Sequence, residues 1–199
     1  ADIIPGMQGM DKRNFSRQGD WVRLGSNAFI AAYNTKLVSA SEAPKNYEDL
    51  LDPKWKGKIG MTSDVKQWWT YALAEGGWGM EKTERFLTKL REQDLIYGAD
   101  PTVLLTMLIA GEYKIAAQGY LYRYLGAKDK GTPVEWIRVN PVVVGGAGFI
   151  MSAGAPHPNA AKLFLEWLLS PKGLAIHDEI TAGGSAFPGM GTRQSKAIE

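Results

Sequence analysis

The segment Gln118-Gly119-Tyr120-Leu121-Tyr122-Arg123-Tyr124 gathers more binding chemistry than any other stretch of the chain. Arg123 carries a planar guanidinium whose paired N–H groups match both oxygens of a carboxylate or phosphonate, and neighbouring tyrosines supply aromatic walls for the apolar part of such a ligand. The competing reading is an arginine that lies over Tyr120 or Tyr124 with its head in water. Spacing limits how the tyrosines cooperate. Residues i and i+2 share a face of an extended chain but diverge by about 200° on a helix, so Tyr120 and Tyr122 act together only on extended backbone. Gln118 opens the segment and belongs to the same candidate site.

Two further places present helix starts, where unpaired N–H groups and partial positive charge suit anions. One is Thr62-Ser63-Asp64, followed within a turn by Gln67, Trp68 and Trp69. The other is Gly98-Ala99-Asp100-Pro101-Thr102. Ser63 and Asp100 fit equally well as ordinary helix caps. Ser63, Asp64 and the Thr102 hydroxyl are the groups that would face a ligand. Of the adjacent pair Trp68 and Trp69, one belongs to the core and the other, taken as Trp68, lines a cleft. His157, in a Pro-His-Pro turn, and His177, within a late helix, read as structural. No Gly-x-Ser-x-Gly elbow and no cluster of His and carboxylates at metal-ligand spacing supports a hydrolase, so no catalytic residue and no cofactor is expected. Gly145-Gly146-Ala147-Gly148 is not followed by the Lys-Ser or Lys-Thr of a phosphate loop.

Composition narrows the class. The 199 residues include 23 basic and 21 acidic side chains for a net charge of +2, scattered along the chain, so no nucleic-acid face is expected. With no cysteine, disulfides and thiolate sites are excluded. The longest apolar tract, Pro141 to Met151, falls short of the ~20 residues that span a bilayer and is broken by Gly145, Gly146 and Gly148.

The elements that must position these groups alternate. Short strands are expected at Trp21–Gly25 and Ala28–Tyr33, at Lys58–Met61, Ile115–Ala117 and Val134–Val139, with Pro141–Met151 as a return strand. Helices are expected at Tyr47–Leu51, Asp64–Glu75, Glu81–Glu92 with Phe86, Leu87 and Leu90 on one stripe, Pro101–Ala110, Tyr120–Lys128, Asn159–Leu169 and Pro171–Ile180. Asn159 is read as the cap of a helix whose stripe Leu163, Phe164, Trp167 and Leu168 is read as core. The tail from Pro188 to Gly191 reads as loop. Helices separated by short strands imply an α/β lobe.

Two blocks carry a family resemblance. Lys45–Met61 reads Lys-Asn-Tyr-Glu-Asp-Leu-Leu-Asp-Pro-Lys-Trp-Lys-Gly-Lys-Ile-Gly-Met, and Ala153–Gly173 reads Ala-Gly-Ala-Pro-His-Pro-Asn-Ala-Ala-Lys-Leu-Phe-Leu-Glu-Trp-Leu-Leu-Ser-Pro-Lys-Gly. In order and content they resemble signatures of the iron(III)-type branch of the type 2 periplasmic binding proteins, the solute-binding components of ABC importers. The resemblance runs from about Trp21 to Pro188.

It implies an α/β type 2 periplasmic-binding-protein fold with one complete lobe and part of the other. Residues 1–36 would be the hinge-proximal part of the first lobe, 37–140 the second lobe, and 141–199 the return crossing with the C-terminal helices of the first lobe. An N-terminal segment of the first lobe is expected to be missing. The implied role is capture of a small ligand in an interlobe cleft and delivery to a membrane permease, in the periplasm or outside the cell, with or without a membrane tether, and without enzymatic activity. Iron-binding members carry two adjacent tyrosines at the matching strand end, because Fe(III) is a hard cation stabilised by phenolate. Tyr122 matches the second tyrosine while Leu121 stands at the first. The leading expectation is therefore an organic anion such as a carboxylate or phosphonate, with ferric iron as transported ligand and Tyr122 as its ligand the alternative. A third reading, the effector-sensing domain of a transcription regulator, shares a related bilobal fold.

Overall fold

Thr62, at the end of a run of four fully buried residues, and Tyr120, at the end of another nearly buried strand, sit where parallel strands release the chain into the candidate site. The computed structural model describes Pro5, Lys12, Phe15, Gln18 and residues 21–62, 69–70, 73–181 and 191–198. The chain divides into two units, one of Ala28–Val144 and one of Ala1–Asn27 with Gly145–Glu199.

The first of these units is built on a sheet of order β3-β2-β4-β1-β5, with β6 also pairing β1. The strands are β1 (Val22–Asn34), β2 (Ile59–Thr62), β3 (Ile96–Gly98), β4 (Ile115–Tyr120), β5 (Val134–Ile137) and β6 (Val143–Phe149). β2 runs parallel to β3 and β4, whereas β1 is antiparallel to β4 and β5. β2 is buried throughout and β4 as far as Gly119, as strands covered on both faces are. β1 is one strand of 13 residues where the sequence predicts two. Ser26 and Asn27 read locally as a turn, but long-range pairing overrides that preference. β3 is absent from the sequence reading because three residues are too few to display a period.

Helix α1 (Gly79–Arg91) buries Phe86 and Leu90 with Leu87 packed beside them, as the predicted stripe requires. Helix α2 (Pro101–Ala110) has the predicted bounds, fixed by Asp100 at its start, Pro101 in its first turn and Gly111 in the left-handed region at φ 84°. α3 (Leu121–Asp129) follows β4 without a loop. The expected turn of helix at Tyr47–Leu51 is a 3-10 turn at Glu48–Leu51, followed by a second at Pro53–Trp55 that Asp52 caps by accepting from the Lys54 amide. The expected helix Asp64–Glu75 is described only at 69–70 and from 73 onward, and it ends in a wide turn at Ala74–Trp78. Trp69 is fully buried, and its ring meets Tyr47 at 5.6 Å and Phe86 at 6.2 Å. It is the core member of the tryptophan pair.

The other unit carries α4 (Pro158–Leu169), α5 (Pro171–Thr181) and α6 (Arg193–Ile198). α4 starts on Pro158 with His157 at the cap position and no side-chain cap bond, so Asn159 lies inside the helix and is not its cap. The predicted core stripe is also corrected: Leu168 is buried, but Leu163, Phe164 and Trp167 are 68%, 54% and 44% exposed. The helix packs instead through Leu165, Leu168 and Leu169 against Val22, Phe15 and Leu174. α6 was not expected, because no apolar period marks it. Its buried residues are Gln194, whose Nε2 donates to the Ser26 carbonyl at 3.2 Å, and Ser195, whose backbone amide donates to Thr192 Oγ1 at 3.1 Å. No helix of the described residues is long and apolar enough to cross a membrane.

Candidate functional site

The carboxyl ends of parallel strands in an open α/β sheet are where ligands bind, because the connections there end in helix N-termini. In the unit Ala28–Val144, β3 leads through Asp100 into α2 and β4 leads directly into α3 at that edge.

A bulge shapes the end of β4. Phe29 pairs with Tyr120 and Ile30 with Gly119, but Ala32 pairs with Ala116, so Ala117 and Gln118 both stand opposite Ala31. An extra residue on one strand reverses the side-chain alternation beyond it. Ala117 joins the large core, Gln118 reaches Thr62, and Tyr120 packs at a tilt against Phe29 with ring centroids 4.5 Å apart. Gln118 is only 2% exposed. Its Nε2 donates to Thr62 Oγ1 at 2.7 Å, and its Oε1 has no hydrogen-bond partner among the described residues. Gly119 is the residue that lets this bulge sit under α3: a Cβ there would lie 2.2 Å from Cε2 of the buried Tyr124 ring. Burial pushes the Tyr124 hydroxyl, which has no hydrogen-bond partner among the described residues, well above the usual phenol range.

Arg123 ties the rest together. Its Nε donates to Tyr122 Oη at 3.1 Å, its Nη1 donates to Thr102 Oγ1, and its guanidinium carbon lies 5.8 Å from the Tyr120 ring centre and 5.6 Å from that of Tyr122. Guanidinium has five N–H donors, and these bonds leave the others without an acceptor among the described residues. Tyr120 and Tyr122 have ring centroids 5.7 Å apart. The sequence offered shared extended backbone or divergence on a helix; the structure has a third arrangement. Tyr120 keeps extended backbone, φ −79° and ψ 118°, as the residue preceding α3, while Tyr122 is already helical. Arg123 lies over the rings of Tyr120 and Tyr122, and Tyr124 is buried.

Asp100 accepts from the amides of Thr102 at 2.6 Å and Val103 at 3.0 Å. The Val103 and then the Thr102 amide hold its carboxyl below the usual carboxylate range, with a smaller contribution from Arg123. Asp100 is therefore a cap, and the Thr102 hydroxyl, which also helps to lower the Asp100 carboxyl, accepts from Arg123. Thus Thr102, Tyr120, Tyr122 and Arg123 come together through the guanidinium, and Gln118 lies two residues upstream on Thr62. Ser63, Asp64 and Trp68 lie outside the described residues. Nothing local marks Phe29 as part of this edge, since an apolar residue in a strand does not announce which ring packs against it.

The match to a family model described as bacterial extracellular solute-binding protein covers residues 4–198. The chain belongs to that family, whose members are transport proteins rather than enzymes. Among curated relatives it is 30% identical over 144 residues to an uncharacterized protein of Haemophilus influenzae and 22% identical over 169 residues to the Fe(3+)-binding periplasmic protein of Serratia marcescens. These matches take in 68% and 79% of this chain but 40% and 49% of the relatives, so the chain spans about half the length of the curated relatives it matches. Iron-bound HitA from Pseudomonas aeruginosa superposes with TM-score 0.78 at 23% identity, over 92% of this chain and 62% of that one. AfuA from Actinobacillus pleuropneumoniae, solved with fructose-6-phosphate bound, superposes with TM-score 0.76 at 20% identity, over 90% of this chain and 59% of that one. Both show the fold, that of a type 2 periplasmic binding protein.

Proposed function

We propose that this chain is part of the solute-binding component of an ABC importer and that the edge formed by Thr102, Tyr120, Tyr122 and Arg123 holds a small organic anion for delivery to a permease. One observation carries the choice of anion: Arg123 is positioned by Thr102 and Tyr122 while N–H donors remain to pair with a carboxylate, phosphonate or phosphate. Its fixed positive charge over both phenol rings also opposes a metal cation at the same place. The fructose-6-phosphate found on AfuA supports this reading by analogy.

Ferric iron is the second reading, favoured by the 5.7 Å approach of the Tyr120 and Tyr122 rings. Titration of the longer protein with citrate, inorganic phosphate and ferric nitrilotriacetate in turn, followed by calorimetry and by visible absorption, separates the two. Under the anion reading, Arg123→Lys weakens citrate or phosphate binding about tenfold or more, since a lysine loses the bidentate fork, and Tyr122→Phe has a mild effect. A visible phenolate-to-iron absorption that Tyr122→Phe abolishes, with Arg123→Lys neutral, would overturn it.

A further inference from the structure

A second arginine stands at the same edge of the sheet. β4 and β5 lie on either side of β1 and are both antiparallel to it, so they run parallel and finish together, one at Tyr120 and the other at Ile137. α3 packs on both strands and runs back along them. Lys128, near its far end, pairs with Glu135 at the start of β5, which leaves the first turn of α3, with Arg123, toward the end of β5. Arg138 is the residue just past that end. Ile137 and Val139 on either side of it belong to the main core, so the pleat sends Arg138 to the opposite face. Trp136 lies on that face too, with its ring centre 5.2 Å from the Arg138 guanidinium carbon. α3 covers the same face, for its buried residues Leu121, Tyr124 and Leu125 are outside the main core.

Arg138 is exposed, and among the described residues no acceptor takes any of its five N–H donors. Glu135, the nearest acid in sequence, is committed to Lys128 and to the Trp136 amide. Neighbouring strands lie about 4.8 Å apart, so roughly 9.6 Å separates the ends of β4 and β5. Between those ends lies β1, with the Tyr120 ring against Phe29. We propose that Arg138 is a second anion-binding residue of this edge, and that the ligand carries two anionic groups on a short apolar spacer, one held by Arg123 and the other by Arg138. The proposal rests on the anion reading above and narrows it to dianions. A single anionic group satisfies one guanidinium, whereas two satisfy both while the spacer crosses the Tyr120 ring. The competing account, an arginine resting on tryptophan with its head in water, gives no preference for a second anionic group.

Calorimetry on the protein titrated above tests this with two series of compounds at constant ionic strength. The α,ω-dicarboxylates from succinate to sebacate are each compared with the monocarboxylate of equal carbon number, and ω-phosphonocarboxylates with the matching alkylphosphonates. In at least one series a chain length is expected at which the second group tightens binding about fivefold or more. Arg138→Gln removes that advantage, while Arg123→Lys weakens every member. Equal affinity within all pairs overturns the inference and leaves the anion reading standing. So does an advantage that survives Arg138→Gln, since the second group would then belong to another residue. Failure of every compound to bind removes the anion reading itself, and this inference with it.

Discussion

Replacing Gly119 with alanine tests the logic of the bulge, because one methyl group must enter the space the buried Tyr124 ring occupies. The added Cβ would lie 2.2 Å from Cε2, 2.8 Å from Oη and 2.9 Å from Cζ of Tyr124. Ordinary carbon contacts are about 3.5–4.0 Å, so the ring must retreat by roughly 1.5 Å. Tyr124 is only 2% exposed, so the ring cannot retreat into solvent and must displace buried neighbours. Overpacking of a rigid core costs about 1–3 kcal/mol, and a clash with three atoms of an immobile ring belongs at the upper end. For a chain of this size that corresponds to a loss of about 5–10 °C in Tm. Thermal and urea unfolding followed by tryptophan fluorescence read the loss, and Gly119→Ala/Tyr124→Leu supplies the control. Leucine lacks all three clashing atoms, so the double variant should be more stable than the sum of the singles by at least about 1 kcal/mol. A Gly119→Ala midpoint equal to the parent's, or strict additivity in the cycle, refutes the packing argument.

Two other expectations concern the same edge. Gln118→Met together with Thr62→Val removes the 2.7 Å bond and the partnerless Oε1 at once, so the double variant should unfold within about 1 kcal/mol of the parent, whereas Thr62→Val alone strands a buried carboxamide and costs about 1–3 kcal/mol; equal losses for the two variants in urea titrations would contradict this. Asp100 has a depressed pKa when folded, so the stability from its charge is complete above the ordinary carboxylate pKa and disappears as pH falls through the lower folded value. The gap in urea midpoint between the parent and Asp100→Asn, which keeps the acceptor oxygen, should accordingly be constant near neutrality and close in acid; a gap that widens in acid would reverse the assigned sign.

The groups of the proposed site come from separate parts of the unit Ala28–Val144. Thr102 arrives at the start of α2, Tyr120 at the end of β4, and Tyr122 with Arg123 on the first turn of α3. The tilted ring contact of Tyr120 with Phe29 ties the end of β4 to β1, and the bond from Arg123 to Thr102 ties α3 to α2. A bound anion would find the donors already placed, which reduces the ordering cost of binding.

The sequence by itself determined the strong local signals. Asp100-Pro101 and Gly111 bracket α2 to the residue, because capping, a preset proline φ and a left-handed glycine act within a few positions of each other. The concentration of Tyr120, Tyr122 and Arg123 was equally legible, since their chemistry lies in adjacent residues. Tertiary structure alone decided the rest. Two local strand signals became the single β1 because partner strands outweigh the turn preference of Ser26-Asn27. Arg123 met Thr102 across 21 positions, and Gln118 met Thr62 across 56, distances at which sequence holds no period to read. α4 shows the limit most clearly: its apolar pattern said buried, and it is buried on one side only, because burial depends on which neighbours the fold supplies and not on the helix that asks for them.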